Sequence, residues 1–241
     1  MASTKIEWTE KVWNPTTGCT KISLGCNNCY AEKMSIRLKA MGMKKYKEGF
    51  SVLIHEEELI RPSGWKSPKI IFVDSMSDLF HDDVPHLFIE KVFQVMNECT
   101  QHIFQILTKR PENIVRLSDR LKWTSNIWVG TSVESNKYIH RIDVLKTIPA
   151  SLRFLSLEPL LSDLPDLKLD RIEWVIVGGE SGPGARPLKE EWILKIRNNC
   201  KKSSVPFFFK QWGGFNKKAN GNLLQGEKYM EFPDVSKYIK L

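Results

Sequence analysis

The chain has 241 residues and a mass of 27.9 kDa, enough for one α/β barrel or open α/β sheet and too few for two generous domains with a linker. With 41% hydrophobic and 27% charged residues its composition is that of a globular protein, and no run approaches the roughly 18 apolar residues of a membrane span, so a soluble protein with no membrane partner is expected. A net charge of +8 favours anionic partners, although the pairs Lys44 with Lys45, Lys201 with Lys202 and Lys217 with Lys218 read equally as solvated faces.

The opening residues alternate charges with aromatics and lack the apolar core and small-residue cleavage site of a secretory leader, which predicts a cytoplasmic protein. A short strand is expected near Val12 and Trp13, and the segment after it carries three of the five cysteines. An odd number of cysteines, three of them within eleven residues, argues for reduced thiols and against a disulfide framework. A helix follows at 31–40, and residues 42–68 read as a long, basic, irregular insertion.

Beyond the insertion, short β-rich runs at 69–74, 102–107, 126–130, 152–157, 173–177 and 206–209 alternate with amphipathic stretches, the pattern of parallel βαβ units. Phe88, Val92, Val95 and Cys99 share one helical face, Pro111 suits a first helical turn, and Tyr138, Ile142 and Leu145 make a third apolar face. Trp192, Ile196 and Cys200 make a fourth. Residues 213–241, rich in Lys, Asn and Gly, form a C-terminal extension. The expected architecture is a single domain over residues 1–241, a partial (β/α)6-type parallel barrel with an iron–sulfur loop after the first strand. Polar residues follow the strands, and in such folds the C-terminal rim carries the active site.

The cysteines Cys19, Cys26 and Cys29 stand in the spacing C-x6-C-x2-C, with Gly18 and Gly25 allowing tight turns. Three thiolates can hold three irons of a [4Fe–4S] cubane and leave the fourth open for a ligand. The alternative is a structural zinc in a non-catalytic nucleic-acid-binding protein, but zinc takes four ligands and no further Cys or His follows at a usual spacing. Cys99 and Cys200 fall in register with apolar helical faces and are expected in the core.

A cysteine loop after the first strand of a partial parallel barrel resembles the radical S-adenosylmethionine superfamily. More narrowly, WNPTTGCTKIS-x-GC-x2-CYAEKM, with SDLFH, LTKRPE, VGTSVE, SLEPLL, VGGESG-x-GARP and FFKQWG later in the chain, is similar to a family common in phages and prophages. The superfamily's commonest loop is C-x3-C-x2-C with an aromatic before the third cysteine; here the loop is three residues longer and Tyr30 comes after it. The resemblance implies S-adenosyl-L-methionine as cofactor, an electron donor such as a flavodoxin or ferredoxin, and contacts to the cofactor's amino group from Ser75, Ser77 and Asp78. A helix N-cap at Asp78 or at His81 and Asp82 is the competing assignment. Ser132 and Glu134 would meet the ribose and carboxylate.

Carboxylates at strand tips are costly unless they meet a cation, a donor or a ligand, which marks Glu134 and Glu158 as site residues. The glycine-rich turn after residues 173–177 presents Glu180 and Arg186. Lys109, Arg110, Arg186, Lys210 and Trp212 would bring positive charge and an aromatic plate to the same rim, a combination suited to phosphates and a stacked base. With the basic charge and the phage context that the resemblance implies, DNA being repaired or modified is the favoured substrate, as in the superfamily's photoproduct lyase branch, and a small nucleotide or a peptide is the alternative. Helix packing and exposed lysines are the plain alternative.

Overall fold

The computed structural model describes residue 4 and residues 6–239; residues 1–3 and 5 of the opening segment, the last two residues and the side chains of Lys217 and Lys218 lie outside the described residues. Seven strands form one parallel sheet: β1 (Lys11–Trp13), β2 (Ile70–Val73), β3 (Ile103–Thr108), β4 (Ile127–Ser132), β5 (Leu152–Leu157), β6 (Trp174–Gly178) and β7 (Phe207–Gln211). They stand side by side in chain order, and the sheet curls into an open half-barrel with β1 and β7 as its edges. The short strand expected near Val12 and Trp13 is β1, which pairs in full with β2, Trp13 opposite Val73, and with the six later runs it makes up the seven strands.

Helices α1 (Tyr30–Ala40), α2 (His86–Glu98), α3 (Pro111–Leu117), α4 (His140–Thr147) and α5 (Glu190–Lys202) supply the crossovers. Pro111 opens α3, where a missing N–H costs nothing. No helix connects β5 to β6; Leu160, Leu164, Leu167, Leu169 and Ile172 of that connection bury themselves on the sheet instead.

Side chains alternate along each strand, so the sheet separates two apolar clusters. On the outer face Ile71, Ile106, Val129, Leu155, Val175 and Phe209 meet the helices, and Cys99 and Cys200 are buried there. On the inner face Phe72, Trp128, Phe154, Trp174, Ile176 and Phe208 form an aromatic floor. The C-terminal extension helps close it: Phe232 packs 4.4 Å from Trp174 and Tyr238 lies 5.2 Å from Trp128. The same segment covers the β7 edge, with Phe209 N–H donating to the Tyr229 carbonyl (2.8 Å) and Glu231 N–H to that of Phe207 (3.2 Å).

The 42–68 insertion carries three 3-10 turns and a two-residue strand, Leu53–Ile54, antiparallel to Thr16–Thr17. Its buried Glu58 pairs with Lys45 (2.5 Å) and Arg61 (3.1 Å), and the Glu58 carbonyl accepts from Trp13 Nε1 (2.9 Å) beside the β1 edge. No described helix is long and apolar enough to cross a membrane.

Candidate functional site

The loop from Asn14 to Cys29 leaves the C-terminal end of β1 and is fastened at successive points. Gly18 forms a parallel bridge with Ser77 and has φ 82°; a Cβ there would strike the Ser51 carbonyl. Asp74, just past β2, accepts from Thr16 N–H and Thr16 Oγ1, both at 2.9 Å. Thr16 Oγ1 also lies 2.6 Å from Ser77 Oγ. Burial raises the Asp74 carboxyl to about 7, outweighing the hydrogen bonds from Thr16 and Ser77 that lower it.

Cys19 meets the end of β3. Arg110 is 6% exposed; its Nη1 donates to Cys19 Sγ (3.7 Å) and Asp78 Oδ2 (3.1 Å), and its Nη2 to Thr20 Oγ1 (2.9 Å) and the Thr20 carbonyl (3.3 Å). Asp78 is filled by further donors, Thr108 Oγ1 (2.7 Å), Lys109 N–H (3.1 Å) and Phe80 N–H (3.1 Å). His81 Nδ1 accepts from Asp83 N–H (3.1 Å), which leaves Nε2 to donate to Thr20 Oγ1 (2.8 Å). Burial and the Asp78 carboxylate push the Cys19 thiol up to about 11, against the lowering effect of Arg110.

Ser23 Oγ links Cys26 to Glu134, which is fully buried. The carboxylate bonds Ser23 Oγ, Lys109 Nζ (3.1 Å) and Arg141 Nη1 (3.0 Å). Burial would raise Glu134, but Lys109, Ser23 and Arg141 together hold it below its ordinary range. Gly25 sits directly against it, with no room for a Cβ. Burial also raises the Cys26 thiol, and the Ser23 hydroxyl (3.4 Å), backbone donors and Lys109 reverse the effect, so it lies below its ordinary value. Cys29 is the residue before α1, and beside it Asn28 Nδ2 donates to Glu180 Oε2 (3.0 Å). Glu180 also takes Arg186 N–H (3.0 Å), Nε (2.9 Å) and Nη2 (2.5 Å), and Arg186 Nη2 reaches the Leu24 carbonyl (3.0 Å). Burial opposes ionisation of Glu180, yet the Arg186 and Asn28 donors hold its carboxyl at about 2.

Inside the mouth, alternation turns Ser132, Ser156, Glu158, Gly178 and Lys210 toward the concave face, above the aromatic floor. Lys210 Nζ lies 3.0 Å from Glu158 Oε1, and Ser156 Oγ 3.3 Å from Glu158 Oε2. Gly178 leaves the space that the Glu158 carboxylate occupies.

Most of the rim residues read from the sequence therefore gather here, but several have other work. Asp78, Glu134 and Glu180 are each met by several donors, among them one that belongs to or bonds the cysteine loop: Arg110 at Asp78, Ser23 at Glu134 and Asn28 at Glu180. Ser77 bonds Thr16, and Ser75 Oγ donates to Asn14 Oδ1 (3.2 Å). The rim cations are not free for phosphates either. Lys109 pairs with Glu134, Arg110 with Asp78, Arg186 with Glu180 and Lys210 with Glu158. Trp212 is no stacking plate inside the mouth, because it packs on Phe209 of the outer cluster and donates Nε1 to the Leu223 carbonyl (2.7 Å).

Ser23, Thr20 and Arg141 are bracing residues that sequence reasoning missed, and Asn28 and His81, which it reads as turn and cap residues, brace the loop as well. Ser23 was marked only by lying beside the cysteines, and Arg141 reaches back from α4 to a residue on the preceding loop, for which sequence spacing offers no signal. Among the described residues no three Cys, His, Asp or Glu side chains converge as ligands of a single metal ion. A family model described as "Protein of unknown function (DUF5131)" matches residues 3–233. No curated protein and no solved structure matches the chain.

Proposed function

The chain belongs to the DUF5131 family, and from its cysteine loop we propose that it is a radical S-adenosylmethionine enzyme whose Cys19, Cys26 and Cys29 hold a [4Fe–4S] cluster. The observation that carries this reading is one loop bearing three unpaired cysteines over the C-terminal mouth of a parallel half-barrel, braced through the three carboxylates Asp78, Glu134 and Glu180. The donor set fits the group: three sulfurs serve three irons and leave one iron for a cofactor. Arg110 at Cys19 and Lys109 near Cys26 place positive charge where thiolates would need it.

When bound, such a cluster supplies the single electron that splits S-adenosylmethionine into methionine and a 5′-deoxyadenosyl radical able to take a hydrogen atom from a substrate. The chain's own residues bind and shield. Glu158 and Lys210 set a carboxylate beside an ammonium, complementary to the charges of the cofactor's methionyl end, and Ser132 offers a hydroxyl on the adjoining strand. The aromatic floor of Trp128, Phe154 and Trp174 closes the barrel below them and excludes water. Reduction calls for a one-electron carrier of the flavodoxin or ferredoxin type.

Anaerobic purification tests the reading. The expected product is a brown protein containing iron and sulfide which, once reduced, converts S-adenosylmethionine to 5′-deoxyadenosine and methionine, measured by chromatography. A colourless protein holding one zinc per chain would overturn it in favour of a structural metal, as would a loaded and reduced protein that leaves the cofactor intact.

A further inference from the structure

With the four rim cations neutralised by carboxylates, the positive charge of the chain must be sought elsewhere. Between Tyr30 and Glu48 six Lys or Arg stand against two Glu, so half of the net +8 lies in that segment. It begins with α1, an eleven-residue helix whose only buried residue is Ser35. Lys33, Arg37, Lys39 and Lys44 are exposed and have no ion-pair partner among the described residues, whereas Lys45 is tied to Glu58 and Lys47 to Glu48. Large apolar side chains are exposed among these cations, Tyr30 at 66% and Ile36 at 63%. A helix that buries one residue contributes little to the core, so this mixed face is not explained by packing.

We infer that α1 and the turn after it are the docking surface for single-stranded DNA, whose phosphates meet Lys33, Arg37, Lys39 and Lys44 while a base stacks on Tyr30. Charge complementarity selects a polyanion. Lys33 and Arg37 stand one helical turn apart on one face, a spacing that follows a backbone. The aromatic ring interleaved with cations suits an unpaired base, because a base inside a duplex presents no free face. Glu32, the acidic side chain of α1, is engaged by Lys21 at 2.7 Å, which leaves this face no free carboxylate to read a ribose 2′-hydroxyl, and Ile36 suits the deoxyribose carbons. Tyr30 directly follows Cys29, so a strand held along α1 has a base at the edge of the mouth. The inference supplies a substrate class to the function proposed above and rests on it only for what happens after binding.

Fluorescence anisotropy with a labelled single-stranded DNA oligonucleotide, from about 50 to about 200 mM salt, is the test. Affinity should fall with salt by a logarithmic slope of about 0.7 per contacted phosphate, and the double variant K33Q/R37Q should flatten that slope by about 1.4. Tyr30→Ala should weaken binding about 5- to 150-fold at every salt concentration. The equally exposed pair on α5, replaced as K201Q/K202Q, should leave the slope unchanged. All these side chains are exposed, and circular dichroism confirms the fold. Absence of binding at low salt, equal flattening by K201Q/K202Q, or tighter binding of the matching RNA would overturn the inference. So would binding of an acidic electron-carrier protein, dependent on Lys33 and Arg37, where DNA does not bind. Binding is read independently of radical chemistry. A colourless protein that still binds DNA removes the proposed activity and keeps the interface; a protein that cleaves the cofactor and ignores DNA does the reverse.

Discussion

The Glu134 carboxylate lies against Gly25, in the space that any side chain at Gly25 would need. Because Glu134 is itself fixed by Ser23, Lys109 and Arg141, it cannot move aside, and the contact makes the course of the loop from Ser23 to Cys26 depend on a buried charge just past the C-terminal end of β4. Gly25→Ala should therefore destabilise the fold by about 1–3 kcal/mol, the usual cost of overpacking, and reduce the iron retained per chain after anaerobic reconstitution. Glu134→Ala leaves Lys109 and Arg141 without their shared partner and should cost about 3–5 kcal/mol. Urea unfolding and iron assays check both; a Gly25→Ala protein with unaltered unfolding and iron content would refute the contact.

Replacing Cys19, Cys26 or Cys29 by Ala should remove the visible chromophore of the purified protein. Cys99→Ala and Cys200→Ala should keep it, since both thiols are buried in the outer core, away from the cysteine loop. Bleaching by Cys200→Ala would show that the three-cysteine assignment is wrong.

Arg110 joins Asp78, Thr20 and Cys19 through one guanidinium, and a lysine has no fork to do so. Arg110→Lys should lower the melting temperature and weaken iron retention together. Arg110→Met leaves the Asp78 carboxylate buried without its charge partner and should cost about 3–5 kcal/mol. Combining it with Asp78→Asn should restore part of that stability and none of the altered visible spectrum, which separates a role at Cys19 from a role in folding.

Asp74 makes stability depend on pH. Its carboxyl is raised from 3.8 to about 7 in the folded protein, so its contribution is fully present below pH 3.8 and is lost as the pH rises through about 7. Asp74→Asn should flatten the dependence of the urea midpoint on pH across that window. The amide oxygen still accepts from Thr16 N–H, and its nitrogen can donate to Thr16 Oγ1. Identical profiles for the two proteins would show that Asp74 ionises without penalty.

The parallel strands, the outward helical faces and the polar residues at one rim were legible in the sequence. Phe88, Val92 and Cys99 repeat with the period of a helix laid on a sheet, and parallel strands place every strand-end loop on the same side. The same local rules account for Pro111 opening α3 and for Cys200 lying in the core. What a rim charge faces is a different kind of property. Lys109, Arg110, Arg186 and Lys210 read as cations offered to a ligand; Arg186 proves to be matched by Glu180 of its own turn, and the other three by carboxylates from other strand ends of the fold. Arg110 and Asp78 are joined across two strand ends, while Glu134 is met by Ser23 from over a hundred residues earlier in the chain. Periodicity records how one segment divides between core and solvent, so it determines burial along an element. Pairing between charges depends on which loops the curled sheet brings together, and only the tertiary structure decides that.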